Sequence, residues 1–377
     1  MKKVLALLML MLMLSSSAAA VQENLSVVEL AAQTPAEWRQ TYEAHGRMIE
    51  IDVPIGIPNV NTFPVLIGAK RNSRVSDELI HYYENMEHTF DEVIYSNTEV
   101  KFTITVNNPT RSRTNNRNDP GFIYEHDLEL RNCDWNKAYA EENNITLQEA
   151  WEIFCTEFDR CYGAGESAEL FIKSVVLEDI RKIYDKSGEA IEYLTPKGNY
   201  CIECAQKFHN IPVLATISYA YHKPVKNSKL PLVNLLIRGN IADEDSFSLY
   251  LALLQEEGTL YEDVPLCSFS RIQEQLEERI SAGILRDVYT LRLGYVGFAM
   301  PDNDEAICFF PCWVVEGAMY ASAKEERKAN TRPNDPILSI RHQTDYATLF
   351  FNAQTGEMFD PASNKKDRLN VPQIITY

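Results

Sequence analysis

The chain has 377 residues, with 36 lysines and arginines against 54 aspartates and glutamates, for a formal charge of −18. With 45% hydrophobic and 24% charged residues, the composition is that of a folded globular protein, and the length suits two compact units, or three, better than one. The acidic balance argues against phosphate-backbone recognition, which needs clustered lysine and arginine, and against binding to anionic membrane surfaces.

Residues 1–20 read as a signal peptide. Lys2 and Lys3 precede an apolar run over residues 4–14, too short to cross a bilayer as a helix of about 20 residues. Small residues follow and end in Ala18-Ala19-Ala20, so cleavage is expected after Ala20. The first cysteine is Cys133, far from that site, so no lipid anchor is expected there. Cleavage removes two lysines and no acidic residue, and no transmembrane segment is expected in the mature chain. The expected location is secreted or cell-surface associated.

Next comes an N-terminal α+β region, residues 21–106. Strands are expected across 47–70, where Ile49, Ile51 and Val53 alternate with Glu50 and Asp52 before Pro54 and Pro58 interrupt. A helix is expected over 76–86 and a half-buried strand over 100–106. Residues 107–120, rich in Asn, Arg, Thr and Pro, read as a linker, locally basic through Arg111, Arg113 and Arg117.

A first helix–meander unit is placed at 121–263. Its helix spans 146–161, with Thr146 and Glu149 as a capping box, a stripe of Leu147, Ala150, Phe154, Phe158 and Cys161, and Gly163 as the stop. Strands are expected at 175–184, 200–208, 213–221, 232–238 and 247–254. The last turns through Gln255-Glu256-Glu257-Gly258 into a partner strand at 259–263. A second unit is placed at 264–377. Its helix spans 270–281, capped by Ser270 and Gln273, striped by Phe269, Ile272, Leu276 and Ile280, and stopped by Gly283. Strands follow at 288–298, 306–320, 337–341 and 347–353, and Gln354-Thr355-Gly356 closes a terminal hairpin. The two units read as a divergent repeat. The expected fold class is α+β, two tandem units of one helix on an antiparallel β-meander, because strands this closely spaced leave no room for helical crossovers.

The eight cysteines (133, 155, 161, 201, 204, 267, 308 and 312) permit disulfides, and buried thiols are an equal alternative. Cys201 and Cys204 form C-x-x-C, but on a strand they face opposite sides, unlike a redox motif at a helix start. Cys308 and Cys312 share a strand face about 13 Å apart, at roughly 3.3 Å per residue, too far to bridge. No zinc set, H-E-x-x-H, nucleophile elbow or P-loop occurs. His126-Asp127 lacks a motif-marked nucleophile. Gly163-Ala164-Gly165-Glu166-Ser167-Ala168 resembles a dinucleotide-binding loop, yet a helix precedes it and a strand follows, so it reads as a helix stop. Asp243-Glu244-Asp245 and Asp302-Asn303-Asp304 read as acidic turns rather than Ca²⁺ loops. Trp38, Trp135, Trp151 and Trp313 could stack on sugars, with Trp151 and Trp313 better suited to a core. No catalytic, cofactor-binding or metal residue is assigned, and no cofactor is implied.

Four stretches carry a resemblance: residues 46–53 followed by Pro54, Pro58 and Phe63-Pro64-Val65; Phe208-His209-Asn210-Ile211-Pro212-Val213; Asp263-Val264-Pro265-Leu266 through Phe269 and Ile272 into Leu293-Gly294-Tyr295; and residues 311–315 with Phe351-Asn352-Ala353-Gln354-Thr355-Gly356-Glu357. Together they resemble an uncharacterised family of exported proteins from clostridia-like Gram-positive bacteria, a domain of unknown function. The helix-plus-meander with its closing hairpin is also similar to PepSY-type domains and to extracytoplasmic regulators of the YycH/YycI type. Members of the exported family are often lipoproteins, whereas this chain lacks the lipobox cysteine. The resemblance implies binding or regulation of envelope proteins and carries over no catalytic residue. The leading expectation is a non-enzymatic secreted or envelope protein that binds another protein through sheet surface or edges. The alternatives are peptide or glycan binding in a groove between the units, and a hydrolase built on dispersed carboxylates.

Overall fold

The computed structural model describes residues 24–44, 46–71, 75–85, 93–98, 101–106, 122–123, 126–129, 134–138, 145–179, 182–184, 190–191, 199–219, 231–233, 237–244, 246–300, 303–319 and 346–359. The expected signal peptide, the 107–120 linker, the strand at 337–341 and Cys133 lie outside them.

In chain order the elements begin with helix α1 (Val27–Gln33), strands β1 (Glu37–Ala44), β2 (Arg47–Gly56) and β3 (Val65–Lys70), helix α2 (Asp77–Glu84), then β4 (Val93–Thr98) and β5 (Lys101–Val106). Strands β6 (Phe122–Ile123) and β7 (His126–Glu129) lead to helix α3 (Leu147–Tyr162), β8 (Leu170–Asp179), β9 (Lys182–Tyr184) and β10 (Ala190–Ile191). Next come β11 (Asn199–Phe208), β12 (Ile211–Tyr219), β13 (Pro231–Val233), β14 (Ile237–Asp243), β15 (Ser246–Leu251) and β16 (Leu254–Tyr261). Helix α4 (Phe269–Ser281), β17 (Leu285–Met300), β18 (Asn303–Met319), β19 (Tyr346–Asn352) and β20 (Met358–Phe359) complete the chain. The protein is thus mixed α/β, with four α-helices among the described residues and extensive, mostly antiparallel sheet.

Seven strands run in the spatial order β7-β8-β11-β14-β15-β5-β4, every pair antiparallel. Helix α3 packs on this sheet. Its capping box forms as expected: the Glu149 amide donates to Thr146 Oγ1 at 3.2 Å, and the Thr146 amide donates to the Glu149 carboxylate at 2.6 Å. Its apolar stripe buries Leu147, Ala150, Phe154 and Phe158 with Tyr200, Ile202, Phe247 and Leu249, and helix α2 adds Ile80 and Tyr83. The helix sits close because Gly239 of β14 has no side chain. A Cβ there would lie 2.3 Å from Phe154 Cδ2.

The second group of strands is organised by the β17–β18 hairpin. One edge of β17 pairs in parallel with β2 and then with β12. The far edge of β18 pairs with β3 and then with β19. Strand β1 extends β2, β13 extends β12, β20 extends β19, and β16 extends β3. The largest core lies here, where α1 and α4 bury Val27, Leu30, Phe269, Ile272, Leu276 and Ile280 against Ile49, Ile51, Leu291, Trp313 and Phe351. Strands that precede residue 107 therefore enter both groups: β4 and β5 join the first, and β1, β2 and β3 the second.

Four expectations need correction. The sheets are not purely antiparallel, since β17 has two parallel neighbours. The Ser270–Gln273 capping box does not form. Helix α4 starts at Phe269 behind Ser268, which makes no side-chain cap bond, and the Gln273 amide donates to Glu277 at 2.8 Å. The strand expected at 232–238 divides into β13 and β14. Gln255-Glu256-Glu257-Gly258 is no turn. It lies inside β16, and the break falls earlier, at residues 252–253. The terminal hairpin forms where expected, with Asn352 Oδ1 accepting from the Gln354 amide at 2.8 Å and Gly356 at φ +73°.

Candidate binding edge

Among the described residues, strand β16 is the outermost strand of its group. It pairs on one side with β3, in a register broken by two bulges that leave Glu257 and Leu260 as extra residues. A bulge bends the strand and sharpens its twist. The contact with β3 is close because position 68 is glycine. A Cβ there would sit 2.2 Å from the Gln255 carbonyl oxygen and 2.5 Å from the Phe309 ring. Beyond Leu254 almost the whole of β16 is exposed. Leu260 and Tyr261 are large apolar side chains 43% and 38% exposed. Glu256, Glu257 and Glu262 make the same stretch acidic.

The ends of this strand are pinned. At its start, the side-chain amide of Gln206 donates to the Leu254 carbonyl at 3.1 Å and accepts from the Leu254 amide at 2.6 Å, in the manner of a neighbouring strand. The β11–β12 turn stands beside it. His209 and Asn210 both adopt positive φ, +52° and +64°, as a two-residue hairpin turn of the type I′ class requires, and asparagine tolerates this backbone well. This turn places His209 Nε2 2.9 Å from the Glu256 carboxylate. At the far end, Asp263 accepts from the Phe63 amide at 2.7 Å, and the Val264 amide donates to the Phe63 carbonyl at 3.1 Å.

Two buried polar clusters lie elsewhere. Lys173 of β8 and Glu316 of β18 form an ion pair of 2.7 Å, with side chains only 8% and 6% exposed. The Thr290 hydroxyl donates to the same carboxylate at 2.9 Å, and Arg292 Nη1 donates to the Lys173 carbonyl at 3.0 Å. Burial alone would raise the Glu316 pKa. The Lys173 charge and hydrogen bond, the Thr290 hydroxyl and the Arg292 charge together outweigh it and hold the carboxyl below its ordinary range. In the second cluster, the Tyr83 hydroxyl donates to buried Glu157 at 2.8 Å, and Arg160 Nε donates to it at 3.2 Å. Burial pushes the Tyr83 phenol far up and the Cys161 thiol up to about 12.

Gly163 and Gly165 are at φ +122° and +88°, and Asp159 accepts from the Gly165 and Ser167 amides, so the glycine-rich stretch is a helix stop. Cys204 belongs to the core beneath α3, as do Tyr200 and Ile202, which places Cys201 on the opposite face of β11. Cys155, Cys161, Cys204, Cys308 and Cys312 are free thiols. Trp38 and Trp313 are buried, and Trp151 stacks on Phe154 with centroids 5.4 Å apart. His126 and Asp127 open β7, opposite Asp179 and Glu178. Asp243 ends β14 and Asn303 opens β18, while Asp245 and Asp302 lie outside the described residues. Among the described residues no three His, Cys, Asp or Glu side chains converge to hold a metal ion. No described helix is long and apolar enough to cross a membrane. Sequence reasoning missed the β16 edge and the Lys173–Glu316 pair. The β-branched and leucine residues flanking the two glutamates were the available signal for the first, and nothing local marked the second.

No family model matches this chain, and no curated protein matches it. Among solved structures the fold is similar to that of an uncharacterized protein from Eubacterium rectale ATCC 33656, at 14% identity, over 86% of this chain and 94% of that one, with a TM-score of 0.50. At that identity the likeness concerns the fold.

Proposed function

We propose that this is a non-enzymatic exported protein, secreted or held at the cell envelope, that binds a partner protein along an exposed strand edge. One observation carries the reading: among the described residues β16 pairs on one side only and shows Leu260 and Tyr261 to solvent on an otherwise polar strand. An open edge is a template for an added strand, and most proteins cover or shorten such edges. Capture of partners from the envelope fraction of the source bacterium by the tagged full chain provides the check. A partner retained by the wild type and lost by the Leu260→Asp/Tyr261→Ser variant supports the reading. A partner held equally by both removes β16 from consideration.

We also propose that residues 121–263 and 264–377 are divergent copies of one helix-plus-meander unit. In each, a helix that buries a phenylalanine-bearing stripe leads into antiparallel strands: α3 into β8 and β11, and α4 into β17, β18 and β19.

A further inference from the structure

We infer that the partner contributes an extended segment bearing lysine or arginine, which adds as a strand along the open edge of β16. The inference rests on the proposed binding edge and names what fits it. Charge is the first argument. Glu256, Glu257 and Glu262 line or directly follow the strand, in a chain of formal charge −18. Opposite charges on facing strands are favourable, and like charges directly opposite are not. A second copy of this chain is disfavoured too, because it would bring an equally acidic strand, with its own Glu256, Glu257 and Glu262 nearby, to an already acidic edge. The bulges at Glu257 and Leu260 add to this by breaking the regular register that self-pairing needs.

The second argument is backbone geometry. Gln206 occupies both backbone groups of Leu254, so an incoming strand would run beyond that residue, along the stretch ending at Tyr261. Within that stretch Leu260 and Tyr261 offer apolar contact to the incoming side chains. Main-chain hydrogen bonds would supply affinity, and the carboxylates would choose the sequence.

The experiment uses the full chain and three fluorescein-labelled ten-residue probes: alternating lysine and valine, alternating glutamate and valine, and the lysine probe N-methylated at alternate residues. Fluorescence anisotropy at low salt should show the lysine probe binding at least about tenfold more tightly than either of the others. Glu257→Gln/Glu262→Gln should weaken it by about tenfold, and so should about 0.5 M salt, which shortens the Debye length to a few ångströms. Equal binding of the N-methylated probe would mean attraction without strand addition and would overturn the inference, as would equal binding of the glutamate probe or no binding at all. The broader reading fails separately. A captured partner that needs Leu260 and Tyr261 but contacts β16 through a segment without basic residues overturns this inference and leaves edge binding standing. Capture that is indifferent to Leu260 and Tyr261 overturns both.

Discussion

Replacing Lys173 with methionine should be among the most destabilising single changes in this protein. Lys173 and Glu316 meet at 2.7 Å with both side chains almost fully buried, so the substitution leaves a carboxylate in the interior without its counter-charge. Breaking a buried pair from one side costs about 3–5 kcal/mol. The Thr290 hydroxyl and the Arg292 charge remain beside Glu316 and soften the loss, which places the expected cost near the lower end, about 3 kcal/mol. The double variant Lys173→Met/Glu316→Leu removes both charges and should recover most of this, since apolar replacement of a buried pair is often neutral. Urea unfolding of the wild type, both singles and the double closes the cycle. With each single costing about 3 kcal/mol and the double far less than their sum, the expected coupling is more than about 3 kcal/mol. A cost under about 1 kcal/mol for Lys173→Met, or a double variant as damaged as the sum of the singles, would refute the reasoning.

The same pair sets an acid dependence. A folded-state pKa below the ordinary carboxylate value contributes stability above that value and loses it as pH falls through the folded-state one. Wild-type unfolding midpoints should therefore drop as pH falls below about 4.5, and this component should vanish in Glu316→Gln. Gly239→Ala should destabilise by about 1–3 kcal/mol, because its Cβ would meet the Phe154 ring, and Phe154→Ala should cost about 3–5 kcal/mol on its own. Thermal unfolding checks both, and the pair of substitutions should be less damaging than their sum. Burial pushes the Cys155 and Cys308 thiols up to about 11 and Cys161 to about 12. Iodoacetamide at pH 8 should label these three slowly in the native protein and rapidly in denaturant, as read by peptide mass spectrometry. Fast native labelling at Cys161 or Cys308 would contradict their burial.

Local signals were legible where one short segment held the whole physical reason. Helix α3 could be read because Thr146, Glu149 and the Phe154–Phe158 stripe lie within a few turns of each other, and the closing turn because Asn352 and Gly356 satisfy it locally. Helix α4 was legible in its stripe but not in its cap: serines at 268 and 270 both suit a helix start, and only packing of Phe269 decides between them. Within β16, Gln255 to Gly258 reads as a turn, because Glu-Glu-Gly without apolar alternation is what an edge strand open to water looks like. The entry of β5 beside β15 and of β3 between β16 and β18 depends on pairings between distant segments, which no local pattern encodes. The buried Lys173–Glu316 pair was hidden for a related reason. Each residue alone reads as surface, and only the meeting of β8 with β18 brings them together.

The most direct trial of the binding edge is amide hydrogen exchange of the full chain, alone and with its captured partner, resolved to peptides covering residues 254–261. Exchange there should slow in the complex while the β1–β2 hairpin and the β14–β15 turn remain unchanged. Protection that appears elsewhere, with residues 254–261 exchanging as fast as in the free chain, would contradict the assignment of β16 as the edge this protein uses.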